Sequence, residues 1–103
     1  ANFVVFIYEG GDGANEPWSV DSYLLTDTDL PQVWRWLRRN LPVDSCWSLG
    51  VVVDPAYPTP ESKVKVDWIL GADVLNAHPH HRSPSDQTVA EEMLARRNGL
   101  TLP

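Results

Sequence analysis

Residues 3–8 read FVVFIY, a continuous apolar run around which the rest of the chain is expected to fold. The run is rich in β-branched and aromatic residues and is too short for an independent helix, so it predicts a β-strand. Because no polar residue interrupts it, we expect both of its faces to be buried. The sequence therefore places this strand at the centre of a sheet.

Three further strands are predicted around the central one. Residues 18–25 have a mixed pattern and are expected to pair with the first strand as a long-looped hairpin. Residues 46–54 alternate in polarity, with Gly50 marking a bulge or a close backbone approach. Residues 63–68 show the cleanest alternation in the chain, which predicts an antiparallel strand with one face in water.

Two helices are predicted between and after these strands. The first is expected to follow the capping side chains of residues 26–29 and to run from Leu30 to about Asn40. The second is expected to begin near Ser85 or Thr88, where Thr88 and Glu91 form a candidate capping box, and to end at Gly99. Each helix has one apolar stripe, and the stripe is stronger in the first.

Together these elements predict an α+β fold. We expect an antiparallel sheet of about four strands, with the two helices packed on one face, in the order β-β-α-β-β-α. The length of 103 residues fits a single domain spanning residues 1–103. Three of the five tryptophans fall on predicted core positions: Trp34, Trp47 and Trp68.

The negative charge is concentrated near the beginning of the chain. The formal net charge is −6, and the first 34 residues contain six acids and no base. The remaining 69 residues balance eight acids with eight bases. Binding to nucleic acid or to an anionic membrane depends on Lys and Arg, so we expect neither partner.

Cysteine usage restricts the chemistry further. Cys46 is the one cysteine, so an intrachain disulfide and a CxxC motif are excluded, and a reducing cytoplasm is favoured. Its position at the edge of an apolar strand is typical of a small core residue rather than a nucleophile. No cofactor-binding motif is present, and the Gly-rich stretch 10–13 carries an acid where a phosphate would be repelled. We expect no catalytic residue and no cofactor.

A histidine cluster is the candidate metal site. His78, His80 and His81 lie within four residues, and imidazoles are ligands for zinc and other transition metals. Three histidines around one proline in a loop cannot easily aim at a single ion, so an exposed polar loop is the favoured interpretation. A metal-binding domain or small metal-dependent enzyme is the alternative function.

The acidic loop and two tryptophans form the candidate partner surface. Exposed Trp and Arg are enriched at interface hot spots, and acidic residues steer the approach of a basic partner. The candidate partner-binding residues are Glu9, Asp12, Glu16, Trp18, Asp21, Trp36 and Arg39. The alternatives are a solvated loop and, for Trp36, a boundary position or stacking on an arginine.

These features predict a small cytoplasmic binding protein without catalytic activity that engages, and inhibits, a basic protein. Its size, acidity and aromatic content resemble those of immunity proteins and phage-encoded nuclease inhibitors in composition alone. A nuclease or another nucleic-acid-binding protein is the expected target, because an acidic patch competes for a phosphate-binding surface. A structural subunit of a larger assembly is a further alternative, and the sequence leaves monomer and homodimer open.

Overall fold

The structure, a computed structural model, describes residues 1–11, 13, 17–53, 65–76 and 79–97. It confirms the α+β fold and the predicted order of elements. The elements are strands β1 (Phe3–Glu9) and β2 (Ser19–Leu25), helix α1 (Leu30–Asn40), strands β3 (Cys46–Val53) and β4 (Lys65–Leu70), a 3-10 turn (Pro79–His81) and helix α2 (Pro84–Ala95).

The four strands form one antiparallel sheet in the order β2-β1-β3-β4. β1 pairs with β2 on one side and with β3 on the other, so the predicted central strand and its hairpin are confirmed. Val5 lies opposite Tyr23 in β2 and opposite Leu49 in β3. All seven residues of β1 are paired with β2 without interruption.

The prediction that both helices pack on one face is wrong. Phe3, Val5 and Ile7 of β1 form one core cluster with the buried residues of α1. The next residue, Tyr8, belongs to a second buried cluster with Ala90 and Met93 of α2, which we call the α2 cluster. Because alternate residues of a strand point to opposite faces, the two helices cover opposite faces of the sheet. We call these the α1 face and the α2 face. The reason is that β1 is apolar on both faces, so each face needs a cover.

Helix α1 forms where the sequence places it. The Asp29 side chain accepts a hydrogen bond from the Gln32 backbone N–H at 2.9 Å, and the Gln32 Oε1 accepts one from the Asp29 backbone N–H at 3.2 Å. This capping box begins the helix, and Pro31 occupies its first turn. The helix ends at Asn40, ahead of Pro42, with Val33 and Leu37 fully buried.

Helix α2 begins at Pro84, which confirms the predicted start near Ser85 and not the alternative at Thr88. Its N-cap is Ser83, whose Oγ accepts from the Asp86 N–H at 3.1 Å. The predicted capping box at Thr88 is wrong, since Thr88 lies inside the helix and its hydroxyl donates to the Pro84 carbonyl. Pro84 explains the difference, because a proline with no N–H to satisfy is favoured in the first turn. The helix ends at Ala95, and the predicted end, Gly99, lies outside the described residues.

The prediction that Trp68 belongs to the core is also wrong. Trp47 is 2% exposed, whereas Trp68 is 38% exposed and lies opposite Gly50, with its ring 5.6 Å from that of Phe6. The predicted irregularity at Gly50 is confirmed by a register shift between Leu49 and Gly50, and a side chain at Gly50 would collide with Val66 of β4. Trp68 therefore lies on the face of the sheet that α2 covers, but outside the buried α2 cluster.

Candidate partner-binding surface

Two of the predicted acidic residues, Glu9 and Asp21, lie near the connected end of the β1–β2 hairpin, which we call the acidic hairpin end. Glu9 ends β1 opposite Ser19, and Asp21 lies opposite Ile7. The strand alternation therefore places both side chains on the α1 face as diagonal neighbours, a spacing of about 7 to 8 Å between their backbone positions. Both are exposed, and neither has a hydrogen bond or an ion pair with a described residue. Asp12 and Glu16 belong to the chain that joins the two strands and lie outside the described residues.

Trp18 is held against the opposite face of the sheet. Its indole N–H donates to the Gly13 carbonyl at 3.0 Å, and its ring packs where a side chain on Gly11 would otherwise lie. The guanidinium of Arg97 is 4.9 Å from the centre of the ring, within cation–π range. Trp18 is half-buried and packs against the α2 cluster, so it contributes to the core on the α2 face.

Arg97, which follows the C-terminal end of α2, also contacts the turn before β3. Its Nε donates to the Asp44 carbonyl at 3.0 Å and lies 3.6 Å from an Asp44 carboxylate oxygen. Asp44 has a φ of 65°, in the left-handed region that aspartate adopts more readily than most residues other than glycine and asparagine. Arg97 therefore contacts both the turn at Asp44 and the ring of Trp18.

Trp36 lies on the α1 face, in contact with β2. Its ring centre is 5.1 Å from that of Tyr23, and the side chain is half-buried, which confirms the boundary position. An open groove of about 600 Å³ runs beside it between α1 and the end of β2. Its lining residues are Leu24, Leu25, Thr26, Asp27, Thr28, Gln32, Arg35, Trp36, Arg39 and Asn40.

The structure brings four of the predicted residues to one face and separates the fifth described one. Glu9, Asp21, Trp36 and Arg39 lie on the α1 face, whereas Trp18 lies on the α2 face. The two tryptophans therefore cannot contact the same small surface. Tyr23 is the site residue that sequence reasoning missed, although its spacing of two residues from Asp21 places both on one face of β2.

The two described histidines lie in the 3-10 turn before α2. His80 and His81 are exposed, and His78 lies outside the described residues. Among the residues that the structure describes, no group of three His, Cys, Asp or Glu side chains is arranged to hold a metal ion. Metal binding at this cluster would therefore need a ligand beyond those described.

The buried polar groups under α2 form a structural network. The Tyr8 hydroxyl donates to the Asp73 carboxylate at 2.7 Å and shares a 3.1 Å hydrogen bond with Ser48. Cys46 lies in the same cluster, fully buried, and that burial raises the pKa of its thiol. Because a thiolate is the nucleophilic form, Cys46 in this environment is inert. The network connects the sheet to the chain after β4 and offers no exposed reactive group.

Comparison of the chain with protein-family models, with curated proteins and with solved structures found no match. In the described ranges, neither α1 nor α2 has the length and apolar content that crossing a membrane requires.

Proposed function

We propose that this chain is a small non-catalytic binding protein whose acidic hairpin end engages a basic protein. One observation carries the proposal: Glu9 and Asp21 are exposed neighbours that no described cation neutralises. In the sequence, Asp12 and Glu16 lie between these two residues, so the segment 9–21 contains four acids and no base.

The magnitude of the charge effect favours a role in association over one in stability. Two unit charges separated by the backbone spacing of Glu9 and Asp21, about 7.5 Å, repel by roughly 0.5 kcal/mol in water, which a folded domain tolerates. A charged surface can raise the rate of association with an oppositely charged partner by about 10-fold to 1,000-fold. The uncompensated charge therefore costs the fold little and can contribute much to recognition.

The partner that this chemistry suits is a nuclease or another nucleic-acid-binding protein. Such proteins present Lys and Arg where they contact phosphates, and an acidic surface competes for those side chains. Binding there would inhibit the target, as expected for a protein of the immunity or phage-inhibitor type. We place this activity in the cytoplasm, in keeping with a single, buried, unpaired cysteine.

The two alternative functions differ in their support. The metal-binding alternative has His80 and His81 but no third described ligand. The structural-subunit alternative has a specific observation in its favour, because Tyr23 and Leu24 of β2 are 40% and 60% exposed. Exposed apolar side chains on an outer strand favour contact between copies of the chain.

Removal of three acids between residues 9 and 16 should strongly lower the recovery of the partner. We expect the triple variant Glu9→Ser, Asp12→Ser and Glu16→Ser to recover at least tenfold less of its main partner from lysate than the wild type. Quantitative mass spectrometry would measure the recovery and identify the partner. The reason is loss of steering and of charge-assisted contacts at the hairpin end.

The matched control removes three exposed acids elsewhere: Asp67→Ser, Glu91→Ser and Glu92→Ser. Both triple variants have the same net charge, so a general charge effect would lower recovery equally. The proposal expects the control to behave as wild type and the captured protein to be basic. Equal recovery by the hairpin variant and the wild type would contradict it, as would an acidic partner.

A further inference from the structure

We propose that β2 also pairs with β2 of a second copy of this chain. The two strands would run antiparallel about a twofold axis at Ser22 and join the sheets into one of eight strands. The pairing does not rest on the proposed function, although both involve Asp21, and it is tested on the purified chain alone.

The free edge of β2 is the first observation. β2 is an outer strand, and its seven residues pair with β1 without a bulge. The other outer strand, β4, has a register shift against β3 and carries the charges of Lys65 and Asp67. Bulges and charges are the features that protect an edge from further pairing. β2 has one charged residue, Asp21, and no register shift. Both outer strands expose two large apolar side chains, so the register shift and the second charge are what distinguish β4.

The register about Ser22 is self-complementary. Antiparallel pairing about this residue places Leu24 opposite Val20 of the second copy, on the α2 face. It also places Tyr23 opposite Asp21 of the second copy, on the α1 face. No two like charges lie directly opposite each other, although the two Asp21 residues are diagonal neighbours, and Leu24 of each copy is covered by the other copy.

The charges of the groove agree with this register. Arg35 and Arg39 lie one residue before and three residues after Trp36 on α1, and neither has an ion pair with a described carboxylate. Trp36 contacts Tyr23, and Tyr23 lies opposite the second copy's Asp21 in the proposed pairing. An exposed acid of one copy is thus brought toward two exposed arginines of the other, and the same contact is repeated by the symmetry.

Repulsion between the copies is weak in this arrangement, although each carries a net charge of −6. Glu9 lies beside Ser19, and the two Ser19 residues lie at opposite ends of the β2 pair, roughly 20 Å apart along a strand of this length. The two Asp21 residues flank the axis as diagonal neighbours, where a repulsion of roughly 0.5 kcal/mol is opposed by Arg35 and Arg39. Charges in physiological salt are screened beyond about 8 Å. Glu9 remains exposed at each end of the pair, whereas Asp21 becomes part of the contact between the copies.

Sedimentation equilibrium of the purified full chain tests the inference. We expect the wild type to have twice the chain mass of 11.6 kDa. Leu24→Lys should return the mass to that of the single chain, because a lysine would be buried against Val20 of the second copy. The matched control Ile69→Lys changes an exposed apolar residue of β4 and should keep the doubled mass.

A charge exchange tests the register. Asp21→Arg should weaken dimer formation at least tenfold, and adding Arg39→Asp to it should restore at least half of the lost free energy. A wild-type chain that stays monomeric at about 1 mM would overturn the inference. At that concentration even an association free energy of about −4 kcal/mol would give a detectable dimer. Equal effects of Leu24→Lys and Ile69→Lys would also overturn it.

Discussion

Replacement of Trp47 by alanine is expected to lower the free energy of unfolding by about 3 to 5 kcal/mol. Trp47 is the largest fully buried side chain of the described core, and its ring lies edge-on to Trp34 with centres 6.1 Å apart. The substitution leaves a cavity between α1 and the sheet. Because small domains have about 5 to 15 kcal/mol of stability in total, such a loss is close to unfolding.

One feature of Trp47 places the expected loss in the lower half of that range. Its Nε1 is buried without a hydrogen-bond partner among the described groups, and removing such a group recovers part of its desolvation cost. Urea unfolding of the wild type and the variant measures the difference. The same change at the partly exposed Trp68 is the control and should cost clearly less. Equal losses at the two positions would contradict the assignment of Trp47 to the core.

Tyr8→Phe is expected to cost about 1 to 3 kcal/mol at neutral pH. The variant removes the hydroxyl that donates to Asp73 at 2.7 Å and that shares a hydrogen bond with the buried Ser48. Both partners keep their polar atoms, and Ser48 lies where water does not reach. The loss therefore reflects two groups left unsatisfied rather than a change in packing volume.

The same tyrosine is expected to make the wild type sensitive to alkaline pH. Burial, with a smaller contribution from the Asp73 carboxylate, raises the pKa of Tyr8 above the ordinary tyrosine value, while the hydrogen bond to Ser48 opposes the shift. A raised folded-state pKa gives stability that is fully present below the unfolded pKa, near 10, and is lost as the pH rises beyond it. The loss is about 1.4 kcal/mol for each pH unit.

Urea unfolding at pH 8 and pH 11 measures this dependence. We expect the wild type to lose more stability between the two pH values than Tyr8→Phe does, so that the variants converge in alkali. Tyr23→Phe removes an exposed tyrosine and should follow the wild-type profile. Parallel profiles for the wild type and Tyr8→Phe would show that Tyr8 ionises normally.

The sequence predicted the individual elements well because their signals are local. The apolar run of β1 and the stripe and capping side chains of α1 each identify one element without reference to the rest. The placement of the helices was missed, since a helical stripe shows that a helix has a buried face but not which face of the sheet it meets. The two-faced apolar character of β1 already required a cover on each side.

The candidate surface was predicted in part. The concentration of acids near the hairpin can be counted from the sequence, and the structure exposes Glu9 and Asp21 as expected. The separation of Trp18 from Trp36 could not be predicted, because it depends on which face each residue meets after the strands pair. The absence of a side chain at Gly11, which admits the Trp18 ring, has meaning only once that contact is known.

The central claim, that the acidic hairpin end binds a basic protein, is tested most directly by nuclear magnetic resonance. The isotope-labelled chain would be titrated with the purified partner captured by the wild type, and backbone amide shifts would be followed residue by residue. We expect the largest changes at Glu9, Ser19 and Asp21, with Pro84–Ala95 of α2 little affected. Changes confined to α2 and the 3-10 turn, with the hairpin end unchanged, would contradict the claim.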